Sequence, residues 1–169
     1  MVYVWTDCDT KKALASALVP VACTALTSYT AWHDKSVTNF LNDCCACKYA
    51  PTDPKIWAAL DAIGLAPYGY ASYLVFKSGG GFAYKDTTLA LTLYGASLAA
   101  WLAYAPIMKK KDANCLFYNS MLFNVLSAGA CYTFWQIDQT AGKLAIPAVL
   151  FAAAYNIMAY TGCQKPKTL

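Results

Sequence analysis

The chain has 169 residues, of which 59% are hydrophobic and 13% are charged, and its mean hydropathy is +0.36. A soluble domain usually carries about a quarter charged residues, so this composition argues against a soluble protein and favours a single membrane domain over residues 1–169. Every basic residue is Lys and every acid is Asp, which excludes bidentate arginine recognition of phosphate, and the net charge of +4 lies in short clusters that suit membrane orientation better than nucleic-acid binding.

Charge-free stretches predict the membrane-spanning helices. The hydrocarbon core of a bilayer requires roughly 20 apolar residues per helix, and charges interrupt this sequence at about that spacing. The runs are apolar all round, whereas helices of a soluble bundle would carry a polar stripe. The predicted fold is therefore an all-α membrane protein, a five-transmembrane-helix bundle, with spans at approximately residues 13–32, 56–77, 87–108, 115–137 and 144–163.

The distribution of lysine predicts the orientation. Five spans place the two termini on opposite sides of the membrane. The side that holds the first loop, the third loop and the C-terminal tail carries eight lysines, and the other side carries five. The positive-inside rule therefore favours a cytosolic C-terminus. The N-terminal residues 1–9 are acidic and aromatic, so neither a secretory signal nor a mitochondrial presequence is predicted.

A cysteine cluster follows the first span. Cys44, Cys45 and Cys47 lie close together in the predicted first loop, with His33 upstream. Thiolate and imidazole are zinc ligands, but the cysteine spacing does not match a paired-knuckle site and the single His has no partner motif. Palmitoylation or a redox-labile thiol near the membrane face is the preferred interpretation, and no metal site is predicted.

Two spans carry a family resemblance. From Gly69 the sequence reads Gly-Tyr-Ala-Ser-Tyr-Leu-Val-Phe-Lys, and the third span continues with Leu93-Tyr94, Leu98-Ala99 and Pro106-Ile107. This stretch resembles the second and third helices of the translocator protein family (TspO/MBR, the peripheral benzodiazepine receptor). The chain departs from the family pattern at Ala59-Leu60-Asp61, which takes the place of a Pro-x-Trp in the second helix.

The resemblance implies a pocket between the five helices that accepts porphyrins, sterols or synthetic aromatic amides, with no resident cofactor. Large, rigid apolar side chains suit such ligands. The same side chains would also serve as interfacial belts or helix packing, and both interpretations stay open. By position, the expected ligand-binding residues are Trp57, Leu60, Trp101, Tyr104, Phe117, Phe151 and Met158.

Asp61 is the single acid inside a predicted span. An acid at membrane depth is costly, which makes Asp61 a further candidate for ligand binding. It lies only about one and a half turns into the helix, so a position at the interface in contact with water is the alternative. The sequence leaves these two interpretations open.

Two further features indicate binding surfaces. In the fifth span, Tyr160 and Lys165 have the spacing of the family's sterol-recognition segment, although an interfacial Tyr and a snorkelling Lys explain both residues without a sterol. In the third span, Gly95, Ala99 and Ala103 recur every four residues. Small residues at this period allow close helix approach, either in a homodimer or within the bundle.

The functional hypothesis is an integral membrane protein that binds hydrophobic ligands such as porphyrins or sterols and aids their transport. A single His, the lack of Glu and the lack of a nucleophile motif indicate no catalytic residues and no enzyme. A structural scaffold that kept the fold without the pocket is the alternative. A channel would need a polar stripe, for which only Asp61, Ser72, Asn119 and Asn124 are available. The family resemblance implies the mitochondrial outer membrane.

Overall fold

A computed structural model describes residues 5–44 and 53–163 of the chain, so Cys45, Cys47 and Lys165 lie outside the described residues. The described residues form six α-helices and a short 3₁₀ turn, where the sequence predicts five helices. The helices are α1 (Asp7–His33), α2 (Lys35–Cys44), α3 (Pro54–Ser78), α4 (Lys85–Lys110), α5 (Ala113–Ile137) and α6 (Gln139–Cys163), with the turn at Gly81–Ala83.

The additional helix is α2, which corrects the predicted helix count. Its 10 residues correspond to a length of about 15 Å, which is too short to cross a bilayer. The Ser36 N–H and hydroxyl both donate to the Asp34 carboxylate, which starts the helix and lowers the pKa of Asp34. Val37 is fully buried, and Phe40 packs against the core. The polar segment is thus helical because one face packs on the bundle.

The five longer helices form a closed ring. Around the bundle the order is α1, α3, α6, α5 and α4, and α4 returns to contact α1. The short helix α2 contacts α1, α4 and α6, so it lies across the end of the bundle at which α1, α4 and α6 finish. That end also contains the beginning of α3, because α3 and α4 are joined by a tight turn at the opposite end.

Three helices of the described part of the chain are long and apolar enough to cross a membrane: α1, α4 and residues Gln139–Tyr160 of α6. Helices α3 and α5 have 25 residues each, a length of about 37 Å that exceeds the hydrocarbon core. Both carry buried polar residues, such as Asp61 in α3 and Asn119 in α5, that reduce their hydropathy.

Helices α1 and α3 approach closely at Gly69. A Cβ atom at this position would lie 2.5 Å from the backbone oxygen of Ser16 and 2.8 Å from Cδ of Pro20. The Ser16 hydroxyl donates to the Gly69 carbonyl at 2.9 Å, so the two backbones are joined across this contact. Only glycine allows the two helices to pack at this distance.

A polar cluster joins the beginning of α1 to the end of α3. Asp9 forms an ion pair with Lys77 and accepts a hydrogen bond from Tyr73 Oη at 2.7 Å. Lys77 Nζ also lies 4.8 Å from the ring centroid of Trp5. These contacts hold together the end of the bundle that lies opposite α2.

Candidate functional site

Three helices bring four aromatic side chains together near the α2 end of the bundle. Tyr155 of α6 is central: its ring centroid lies 5.7 Å from that of Trp57 in α3. The centroids of Trp101 and Tyr104 in α4 lie 5.5 and 6.4 Å from Tyr155. We call Trp57, Trp101, Tyr104 and Tyr155 the aromatic cluster. Tilted and edge-on rings at these distances are the favoured geometry of aromatic packing.

Trp101 is the most deeply buried member of the aromatic cluster. Its side chain is 3% exposed, and its ring also packs against Phe123 of α5 at a centroid distance of 5.1 Å. The Nε1–H of Trp101 is buried and has no hydrogen-bond partner among the described residues. Because a buried donor without an acceptor is unfavourable, this group is suited to an acceptor on a bound molecule.

Asp61 lies beside the cluster on α3. Its exposure is 6%, and Oδ1 accepts a hydrogen bond of 2.6 Å from Tyr155 Oη. Trp57 and Asp61 are four residues apart, which places them on the same face of α3. Of the two positions that the sequence left open for Asp61, the structure therefore has the buried one.

The predicted ligand-binding residues of α6, Phe151 and Met158, lie on the same helix as Tyr155 of the aromatic cluster. Phe151 packs against Gly64 of α3, where an added Cβ would come within 2.4 Å of the Phe151 ring. Met158 is buried, with 9% exposure, and lies one turn after Tyr155. Helix α6 thus contributes aromatic and aliphatic side chains to the candidate site over two helical turns.

Two predicted residues lie apart from the aromatic cluster. Leu60 is 36% exposed, so α3 directs part of this side chain away from the core. Phe117 of α5 contacts Tyr160 of α6 at a centroid distance of 5.8 Å, and Tyr160 is 50% exposed. These two rings form a separate pair near the surface of the bundle. The second residue of the predicted sterol segment, Lys165, lies outside the described residues.

Sequence reasoning missed Tyr155, although this residue contacts the three other members of the cluster. Tyr155 lies four residues after Phe151 and three before Met158, a spacing that places all three on one face of α6. That spacing is the signal that could have identified it. A polar contact between Ser120 and Asn156, at 2.9 Å, was missed as well.

In the part of the chain that the structure describes, no three His, Cys or Asp side chains are grouped so that they could hold a metal ion. Of the cysteine cluster, Cys45 and Cys47 lie outside that part, and Cys44 ends α2.

The comparisons with known proteins identify one family. The model of the TspO/MBR family matches residues 15–162, which is most of the chain. The resemblance of the second and third spans is thereby confirmed. A search of curated proteins finds no match. The matched residues include the aromatic cluster, Asp61 and all of the predicted ligand-binding residues of α3 to α6.

Proposed function

Because the chain belongs to the TspO/MBR family, we propose that it binds hydrophobic ligands such as porphyrins or sterols in the membrane and aids their transport. Family membership supports a membrane role in ligand binding or transport in general. The aromatic cluster that α3, α4 and α6 form around Tyr155 supports particular residues as the binding site.

The chemistry of the cluster suits a flat apolar ligand. Rigid rings offer a large contact area and lose little side-chain entropy when a ligand binds. The buried Nε1–H of Trp101 supplies a hydrogen-bond donor for a carbonyl or hydroxyl oxygen on the ligand. Phe151 and Met158 extend the apolar wall along α6.

The protein crosses the membrane five times, through α1, α3, α4, α5 and α6. Three of these helices have the hydropathy of a span, and α3 and α5 have sufficient length and lie within the same ring. The C-terminus faces the cytosol, as the lysine distribution favours, and the membrane is the mitochondrial outer membrane, as the family resemblance implies. Two copies associate through Gly95, Ala99 and Ala103 of α4.

Titration of the purified protein with protoporphyrin tests ligand binding. Trp57 and Trp101 lie in the aromatic cluster, so bound porphyrin is expected to quench tryptophan fluorescence in a saturable manner. Trp101→Phe should weaken the binding, whereas Trp135→Phe, which alters a 43% exposed ring on α5, should change the signal but not the affinity. Linear, non-saturable quenching in the micromolar range would contradict the proposal.

A sterol site at the end of α6 is a separate part of the proposal. Tyr160 is half exposed and packs on Phe117, which leaves its ring accessible from the lipid. Tyr160→Ser should reduce sterol uptake into vesicles that contain the protein. Unchanged uptake would assign Tyr160 to the interfacial belt instead.

The second candidate function is a structural scaffold, which one observation favours. The rings of the cluster pack on one another, and Trp101 and Tyr104 are 3% and 7% exposed. Such packing stabilises the bundle by itself. A scaffold would show no saturable binding of either porphyrin or sterol, so the same titration separates the two functions.

A further inference from the structure

The buried acid of the site lacks a counter-charge within the described chain. An ionised carboxylate removed from water is strongly unfavourable unless it is paired. Asp61 is 6% exposed, and it accepts a hydrogen bond from the neutral hydroxyl of Tyr155. Lys77 forms its ion pair with Asp9 at the other end of the bundle. A ligand that carries an ammonium group would supply the positive charge that the ionised carboxylate of Asp61 requires.

The surroundings of Asp61 are also those that bind cations. The face of an aromatic ring attracts an ammonium group within about 6 Å of its centroid, and cages of several rings recognise alkylated ammonium ligands. Tyr155 donates to Asp61 through its hydroxyl and contacts the other three members of the aromatic cluster through its ring. The acid and the rings thus occupy one place in the bundle.

The apolar wall determines the rest of the ligand. Phe151 and Met158 lie on the same face of α6 as Tyr155, so an apolar body would continue along α6 from the charged end. The partly exposed rings of Trp57 and Tyr155 place one side of the cluster near the surface of the bundle. We infer that Asp61 and the aromatic cluster form a site for a cationic amphiphile, a ligand with a protonated amine on an apolar body.

This inference rests on the proposed function, because it specifies the ligand class of the same site. The test compares dodecylamine, which is protonated at pH 7, with dodecanol, which is neutral and has the same chain. Both probes are titrated into the full-length protein in bilayer discs, and tryptophan fluorescence reports binding. Competition with protoporphyrin separates binding at the site from partition into the lipid.

The decisive variant is Asp61→Asn, which keeps the shape of the side chain and removes the charge. We expect it to weaken dodecylamine binding by at least about tenfold, the typical effect of losing a charged hydrogen-bond partner, and to change dodecanol binding by less than about twofold. Asp86→Asn is the matched control, because Asp86 is an exposed acid at the opposite end of the bundle. It should leave both affinities unchanged.

A second variant separates charge from structure. Tyr155→Phe retains the ring and the carboxylate of Asp61, so the preference for dodecylamine over dodecanol should persist. Equal affinities of the two probes for the unaltered protein, or equal losses for both in Asp61→Asn, would overturn the cationic ligand class while leaving hydrophobic binding in place. Loss of the preference in Tyr155→Phe would also overturn it. If neither dodecylamine nor dodecanol nor protoporphyrin binds saturably, the proposed function and the inference fail together.

Discussion

Tyr155 joins two kinds of interaction in one side chain. Its hydroxyl donates to the buried carboxyl of Asp61 at 2.6 Å, and its ring packs on Trp57 and Trp101. Removal of the hydroxyl alone would therefore leave the ring packing in place and deprive a buried polar group of a donor. That separation makes Tyr155 informative about the energetics of the site.

We predict that Tyr155→Phe destabilises the folded protein by about 1–3 kcal/mol, the usual cost of an unsatisfied buried polar group. Tyr132→Phe, at a side chain that is 66% exposed, should change the free energy of unfolding by less than about 0.5 kcal/mol. Unfolding in detergent, followed by circular dichroism, measures both. Equal effects of the two substitutions would show that the hydrogen bond to Asp61 adds nothing to stability.

At the scale of the element, glycine sets the distance between α1 and α3. We predict that Gly69→Ala destabilises the bundle by about 1–3 kcal/mol, because the added Cβ would meet the Ser16 backbone at 2.5 Å and backbones cannot yield locally. Gly129→Ala is the control, since its Cβ would have only an ordinary contact of 3.6 Å with Leu93. Alanine is the better helix former, so that variant should be neutral or stabilising. The thermal midpoint should thus fall in Gly69→Ala and stay unchanged or rise in Gly129→Ala.

Asp9 connects the beginning of α1 to the end of α3. Oδ1 of Asp9 accepts from Tyr73 and Oδ2 pairs with Lys77, and Asp9→Asn removes the negative charge of this carboxylate, so we expect a lower thermal midpoint. Asp7→Asn is matched to it, because Asp7 is an exposed acid in the same first turn of α1 and alters the helix dipole equally. The difference between the variants should shrink as salt is added, since ions screen a pair near the surface. A difference independent of salt would contradict an electrostatic origin.

The helical elements show what a sequence of this kind can and cannot reveal. Charged residues cannot lie freely in the hydrocarbon core, so their spacing locates long helices without any packing information. Helix α2 was not predicted because it is short and polar and gains its stability from one buried face, at Val37 and Phe40.

In the candidate site, the sequence identified Trp57, Asp61, Trp101 and Tyr104 by residue type or position. Tyr155 did not stand out by residue type, because α6 is apolar all round; only its spacing from Phe151 and Met158, which places the three on one face of α6, could have identified it.

At the scale of the whole molecule, the proposed arrangement of five spans predicts which loops share a side of the membrane. We expect single cysteines at Lys35 and Lys109 to react with an impermeant maleimide from one side of sealed vesicles, and a cysteine at Phe82 to react from the other. All three residues are exposed and lie before α3, near the end of α4 and in the turn between these helices. The measurement requires a background without the native cysteines. If the cysteines introduced at Phe82 and Lys35 react from the same side, α3 does not cross the membrane.

The proposed association of two copies would use the outer face of α4. A Cβ added at Gly95 would meet nothing within 4 Å, and both Gly95 and Ala99 are exposed, so this face is not used inside the bundle. Without a hydrophobic driving force between helices in lipid, association depends on close backbone approach, which a large side chain prevents. We therefore predict that Gly95→Leu converts a dimer into a monomer, as measured by light scattering in detergent, and leaves the thermal midpoint unchanged. Ala154→Leu adds a similar side chain to an exposed position of α6 and should leave the dimer intact. If both variants and the unaltered protein have the same mass, α4 does not mediate association. Its small residues would then face lipid and not a second copy of the protein.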